Sequence, residues 1–248
     1  MVFEKKMGLI VASKNFFFDL LDFVFPNFCI LCNKKVLRNL FSICDDCLNS
    51  LEMSNQKDID EFYYHNLASY KLIINFYSKY EFVKEGNFQK IIHQLKYNGK
   101  SKIGLLLGQE LGKELLKHKW FEEIDLVIPV PIHRFKKLQR GYNQSSLIVK
   151  GINSTTKKVF NENAIKRIRN TQTQTHLGLH ERMENVKDAF KVVKKDEIFN
   201  KKILIVDDVC TTGSTVHEIA RTLLDAGAKE ISLATLAFVK EKDFSIKV

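Results

Sequence analysis

The chain has 248 residues, 45% of them hydrophobic, with only three prolines and a formal charge of +10. That composition supports one sizeable core, or a core plus a small appended module, and excludes a disordered chain. No apolar stretch reaches the ~18 uncharged residues of a membrane span, since Asp19 and Asp22 interrupt the richest one, and no cleavage site of small residues follows a short apolar run. A cytoplasmic location with no membrane span is therefore expected. The basic excess favours anionic partners, whether nucleic acid or phosphorylated metabolites, or it is simply a solvated surface.

In chain order, residues 14–25 place Phe16, Phe17, Leu20, Leu21 and Val24 at near-helical spacing, which predicts an N-terminal helical segment over residues 1–25, stopped by Pro26. A cysteine-rich module follows over residues 26–53. Cys29, Cys32, Cys44 and Cys47 form two Cys-x-x-Cys pairs separated by eleven residues, the pattern by which two tight turns present four thiolates to one tetrahedral metal. Four thiolates leave no open coordination position, so zinc held there is structural. An iron–sulfur cluster or a disulfide pair would use the same residues. The polar stretch at residues 54–61 reads as a linker, and residues 65–248 as one domain.

Within that domain, alternation over residues 73–82 predicts a strand. Asn87 caps a helix through Leu95, and residues 103–117 continue as a second amphipathic helix. Residues 125–132 form an apolar strand, followed by the basic stretch 133–140 and a helix from Tyr142 to about Gly151. Strands are expected at residues 164–168, 189–193, 202–207 and 230–238, with a helix at 214–225 ended by Gly227. Helices between short Val/Ile-rich strands require crossover connections, so the class is α/β with a mostly parallel sheet covered on both faces.

The run from Ile203 to Thr215 carries the most chemistry. It is a buried strand, then Asp207 and Asp208 at its carboxyl end, then Thr211, Thr212, Gly213, Ser214 and Thr215 opening a helix. Parallel sheets bind ligands at the carboxyl ends of their strands. A Gly/Ser/Thr loop at a helix N-terminus offers backbone N–H groups and hydroxyls to a phosphate monoester, and adjacent carboxylates accept hydrogen bonds from vicinal sugar hydroxyls and help hold Mg2+.

This run resembles the phosphoribosyl pyrophosphate motif of type I phosphoribosyltransferases. Three further segments resemble the ComF family of bacterial competence proteins: residues 92–99 (IHQLKYNG), residues 130–144 (VPIHRFKKLQRGYNQ), and residues 167–177 (RIRNTQTQTHL) with Arg182, Asn185, Ala189 and Phe190. The four-cysteine module fits that family too. The resemblance implies an α/β, parallel-sheet type I phosphoribosyltransferase fold with a small N-terminal four-cysteine zinc ribbon. It implies Asp207 and Asp208 as the catalytic pair, with His133, Arg134 and Lys136 on a pyrophosphate loop. Thr175, Arg182 and Asn185 then lie on a mobile hood, and Lys96 and Tyr97 line the same cleft.

The cofactors implied are structural zinc, and Mg2+ carried with phosphoribosyl pyrophosphate or a similar sugar phosphate. Three functions stay open from sequence. The first is a competence factor that handles single-stranded DNA together with the DNA-uptake machinery, with Phe41, Phe62, Tyr63 and Tyr64 as base-stacking candidates. The second is a working phosphoribosyltransferase that releases pyrophosphate, and the third is a ligand-sensing regulator.

Overall fold

The computed structural model describes residues 26–36, 42–170 and 186–240. The expected N-terminal helix and Phe41 lie outside those residues. The chain forms two compact units, Met1–Ser50 and Leu51–Val248.

In the first unit, β1 (Asn27–Phe28) pairs antiparallel with β2 (Lys35–Val36). Asn33, at φ 59°, makes the turn between them, a left-handed conformation that Asn tolerates. A short helix, α1 (Asp45–Asn49), starts at Cys44 with Asp45 and Asp46 in its first turn, where carboxylates complement the helix dipole. Among the described residues of this unit, Cys29, Val36 and Ile43 are the buried apolar ones.

The second unit opens with a departure from expectation. The stretch read as a linker is helix α2 (Gln56–Phe62), capped by Asn55, whose side chain accepts from the Asp58 amide at 2.9 Å. Its apolar residues Ile59 and Phe62 are one turn apart and buried, with Phe62 packed against Phe76 and Phe238. Just before it, residues 52–54 pair antiparallel with the end of β3 (Asn75–Glu81) through the Met53–Tyr80 bridge and so cover that edge of the sheet. A π-turn (Tyr63–Leu67) and a 3-10 turn (Ala68–Tyr70) connect α2 toward β3.

Two helices follow β3, α3 (Asn87–Tyr97) and α4 (Ser101–Leu115), then the short α5 (Lys119–Glu122) and β4 (Leu126–Pro129). The basic stretch is also helical. It forms α6 (Arg134–Arg140), capped by His133 and closed by Gly141 at φ 80°. Next comes α7 (Gln144–Thr156), capped by Asn143 and running past Gly151. After β5 (Ile165–Arg167) and β6 (Phe190–Val192) come β7 (Lys202–Cys210), α8 (Ser214–Asp225) and β8 (Glu230–Phe238).

The main sheet has the order β3-β8-β7-β4, parallel throughout. β7 and β8 are buried along nearly their whole length, as central parallel strands must be. β5 and β6 do not join this sheet but pair antiparallel with each other. Their outward Lys166 and Lys191 suit a small sheet with one wet face.

Beyond β4, Phe160 makes a parallel bridge to Val127, so the connection through α7 moves outward from β4, whereas α8 carries the chain from β7 inward to β8. Right-handed crossovers place these two helices on opposite faces, and strand order reverses between β4 and β7. That reversal opens a crevice at the carboxyl ends of the two strands.

The position of α7 depends on close backbone contact with α4. A Cβ on Gly108 would lie 2.1 Å from the Ile148 carbonyl oxygen, and one on Gly151 would lie 2.2 Å from that of Leu105. Only glycine fits at either place, and the contact sets where the first turn of α7 meets the crevice.

Candidate functional site

Asp207 and Asp208 lie toward the carboxyl end of β7 at this crevice, Asp207 half-buried and Asp208 buried. Asp207 Oδ1 accepts from the Ser145 hydroxyl at 2.9 Å and from the Asp208 amide at 2.9 Å, while Asp208 Oδ1 accepts from the Val209 amide at 2.8 Å. Ser145 is fully buried in the first turn of α7. Asn143 fixes that turn by donating to the Val130 carbonyl at 3.0 Å and accepting from the Ser145 amide.

The other carboxylate faces Lys96, whose Nζ lies 3.0 Å from Asp208 Oδ2 as an ion pair outside hydrogen-bonding alignment. Lys96 sits in the last turn of α3, held by the Tyr142 hydroxyl donating to the Leu95 carbonyl at 2.6 Å. Burial, with the charge of Asp208 beside it, pushes the Asp207 carboxyl up to about 7, against the opposing pull of the Asp208 amide, the Ser145 hydroxyl and Lys96.

The loop at residues 211–215 opens α8. Gly213 is the N-cap of this twelve-residue helix at φ 76° and supplies no side-chain cap to its first amides. Thr212 and Ser214 hydroxyls lie 2.9 Å apart beside them. The loop is buttressed from behind. A Cβ at Gly213 would meet Leu67 Cδ2 at 2.8 Å, and His217 Nε2 lies 2.7 Å from the Asn66 carbonyl oxygen. Cys210 is buried under the loop, where burial first and then the Asp207 charge push its thiol up.

Across the crevice stands a wall of cations. Burial, then Arg167, Arg140 and Lys96, lower the Lys136 ammonium, and burial, then Arg134, Arg167 and Lys136, lower His133. Arg167 is also lowered by burial and is partly compensated by Asp207. The structure thus brings Asp207, Asp208, Lys96, His133, Lys136 and Arg167 to one place, with the phosphate loop on the same strand end as the acidic pair. Arg134, beside His133, lies over the exposed Phe135 ring at 5.1 Å. Thr175, Arg182 and Asn185 lie outside the described residues.

Ser145, Asn143 and His217 received no role from sequence. Ser145 had a local signal, since Gly141 and Asn143 mark the end of one helix and the cap of the next. Arg167 stood in a quoted segment, but nothing local told that it faces Asp207.

The four cysteines form a second cluster. Their sulfurs all lie within 4.8 Å of one another, with Cys32 and Cys44 Sγ at 3.6 Å. A tetrahedral ion with bonds of about 2.3 Å spaces its sulfurs about 3.8 Å apart, so the donor set fits a metal. Burial works against the Cys29 thiolate, but the Cys32, Cys44 and Leu31 amides bring that thiol down to about 6. Among the described residues, no helix is long and apolar enough to cross a membrane.

A family model described as phosphoribosyl transferase domain matches residues 146–247. Competence protein F of Haemophilus influenzae is 38% identical over 114 residues, covering 46% of this chain and 50% of that protein. DNA utilization protein YhgH of Salmonella typhimurium is 34% identical over 146 residues, covering 58% and 63%. Competence protein ComFC of Streptococcus pneumoniae is 27% identical over 141 residues, covering 57% and 59%. The matches thus span between half and two thirds of these relatives. Among solved structures, a hypoxanthine phosphoribosyltransferase from Staphylococcus aureus has a TM-score of 0.35 at 16% identity, covering 58% of this chain and 67% of that one. The domain match and the parallel sheet with its crevice between β4 and β7 show a type I phosphoribosyltransferase fold, carried with a four-cysteine cluster by a chain that is similar to the competence and DNA-utilization proteins over about half of its length.

Proposed function

We propose that this protein acts in DNA uptake or the handling of incoming DNA, and that its crevice binds phosphoribosyl pyrophosphate or a similar sugar phosphate with Mg2+. The observation that carries the ligand reading is the acidic pair of β7, placed between an uncapped helix N-terminus and the cations Lys96, Lys136 and Arg167. In this reading the loop at 211–215 takes the 5-phosphate, Asp207 and Asp208 take the ribose hydroxyls, and His133 and Lys136 face the pyrophosphate. Bound Mg2+ would neutralise charge on the diphosphate. The DNA reading rests on the competence and DNA-utilization names of the relatives. Zinc is the metal proposed for the four thiolates, in a structural role.

The test is calorimetric titration with phosphoribosyl pyrophosphate and Mg2+. Binding near micromolar, about 8 kcal/mol, is expected and should vanish in the Asp207→Asn, Asp208→Asn double variant. A folded wild-type protein that shows no heat of binding overturns the ligand reading.

Single-stranded DNA contact is favoured by a separate feature. Arg134 lies over the Phe135 ring, and Arg140 over the Tyr97 ring at 5.3 Å, with both rings more than half exposed. Aromatic faces beside guanidinium groups suit unstacked bases. Phe62, one of the stacking candidates from sequence, is instead buried in the core, and the Tyr63 hydroxyl is engaged with the Ile73 carbonyl at 2.9 Å. Salt-dependent binding of oligothymidylate that weakens in Phe135→Ala and Tyr97→Ala is expected, and no binding at low salt counts against it.

A further inference from the structure

The hydrogen bonds of the acidic pair leave one oxygen of each carboxylate for a ligand. Asp207 Oδ1 accepts from the Ser145 hydroxyl at 2.9 Å and from the Asp208 amide at 2.9 Å, which occupies both of its lone pairs. Asp208 Oδ1 accepts from the Val209 amide at 2.8 Å. Among the described residues, none donates a hydrogen bond to Oδ2 of either side chain, and Asp208 Oδ2 is buried with the Lys96 ammonium beside it at 3.0 Å. Two such acceptors on adjacent residues match the two hydroxyls of a cis-diol. A sugar that lacks one hydroxyl leaves an enclosed carboxylate oxygen without its donor, and sites built this way reject the deficient analogue.

Which oxygen of Asp207 faces the sugar depends on Ser145. The last torsion of an aspartate is broad and two-fold, so its two oxygens interchange unless one is held. Ser145 holds Oδ1 from a side chain that cannot follow a rotating carboxylate. It is fully buried in the first turn of α7, and its amide donates to Asn143 Oδ1 at 3.2 Å. Asn143 in turn donates to the Val130 carbonyl, just past β4, at 3.0 Å. The glycine contacts at Gly108 and Gly151 seat the helix itself on α4.

We propose that Ser145 is the positioning residue that makes this crevice selective for ribose phosphates over 2-deoxyribose phosphates, by committing Asp207 Oδ1 to α7 and presenting Oδ2 to the sugar. The inference rests on the crevice reading given above and names the sugar class of its ligand. It also separates the two proposed partners, because DNA has no 2-hydroxyl and is therefore not a ligand of the acidic pair.

The experiment is calorimetric titration of the full chain, with Mg2+ present, using ribose 5-phosphate, 2-deoxyribose 5-phosphate and phosphoribosyl pyrophosphate. Wild type should prefer ribose 5-phosphate to its 2-deoxy analogue by about thirtyfold, since the missing donor serves a charged acceptor. Ser145→Ala should weaken ribose 5-phosphate binding by about tenfold and change that of the 2-deoxy sugar by less than about twofold, so that the preference falls to a few-fold. Ser146→Ala, which alters the neighbouring buried serine of the same turn, should leave the preference as in wild type. In an Asp207→Asn background, Ser145→Ala should have no further effect on the preference, because the two residues act as one unit. Absence of any preference in wild type overturns the inference. So does a Ser145→Ala variant that keeps the wild-type preference, or one that loses both sugars alike as a merely structural role would require. In each of those cases, retained binding of phosphoribosyl pyrophosphate by wild type leaves the crevice reading intact, whereas a wild-type protein that binds none of the three ligands overturns both.

Discussion

Lys96 Nζ lies 3.0 Å from Asp208 Oδ2, which joins the end of α3 to the carboxyl end of β7 across the crevice. Both side chains are nearly enclosed, at 10% and 5% exposure. Removing the ammonium therefore leaves a buried carboxylate uncompensated, which typically costs about 3–5 kcal/mol. Lys96→Met should lower unfolding free energy by about 3 kcal/mol at neutral pH, and adding Asp208→Asn should restore most of it. Urea unfolding of the two single variants and the double one measures this. A Lys96→Met protein as stable as wild type would mean that the pair contributes nothing.

Asp207 gives the crevice a pH dependence. Its carboxyl is raised to about 7 by burial and by Asp208, so as pH falls through that range it gains a proton, offers fewer acceptor sites to sugar hydroxyls and holds a divalent cation less well. Ribose 5-phosphate with Mg2+ should bind more tightly as pH rises from 6 to 8, and Asp207→Asn should flatten the profile. Stability moves the opposite way. The native state holds the proton that the unfolded chain loses near the ordinary carboxylate pKa, so stability declines as pH rises from about 4 to about 7. Asp207→Asn should remove that decline, and denaturant midpoints across this range will show whether it does.

What could be read from sequence was local. The strand, acidic pair and loop of residues 203–215 announce themselves because apolar, carboxylate and hydroxyl residues follow one another in the order in which the structure uses them. Helix α2 was equally local but was hidden by its polar composition. Asn55 with Asp58 was a cap signal, and Ile59 and Phe62 were its buried stripe. Contacts between distant segments were not legible: Lys96 against Asp208, Ser145 against Asp207, and Leu67 behind Gly213. The period of β5 and β6 marked them as strands, but strand period does not say which sheet a strand joins.

Gly213 combines two constraints. Its φ of 76° disfavours any residue with a Cβ, and that Cβ would press on Leu67 Cδ2 at 2.8 Å. Gly213→Ala should destabilise by roughly 1–3 kcal/mol and weaken ribose 5-phosphate binding by more than tenfold. Adding Leu67→Ala removes the clash and leaves the backbone strain, so it should recover little phosphate affinity. Full recovery of binding in that double variant would show that steric pressure, not loop conformation, governs the site.

The four-cysteine unit has two-residue strands, one five-residue helix and a buried apolar set of Cys29, Val36 and Ile43 among the described residues. So small a core does not repay the entropy of ordering the chain, and a structural metal is the remaining source of stability. Purified protein should therefore carry about one zinc per chain. Stripping it with a chelator, or substituting Cys47→Ser, should abolish order in residues 26–36 and 42–50. The thermal midpoint of the second unit should stay within a few degrees, because that unit's core is its own. Metal analysis with amide hydrogen exchange separates the two. Protection of residues 26–36 and 42–50 that survives complete zinc removal would show that the module folds without the ion, and a large fall in the second unit's midpoint would show that the two units unfold together.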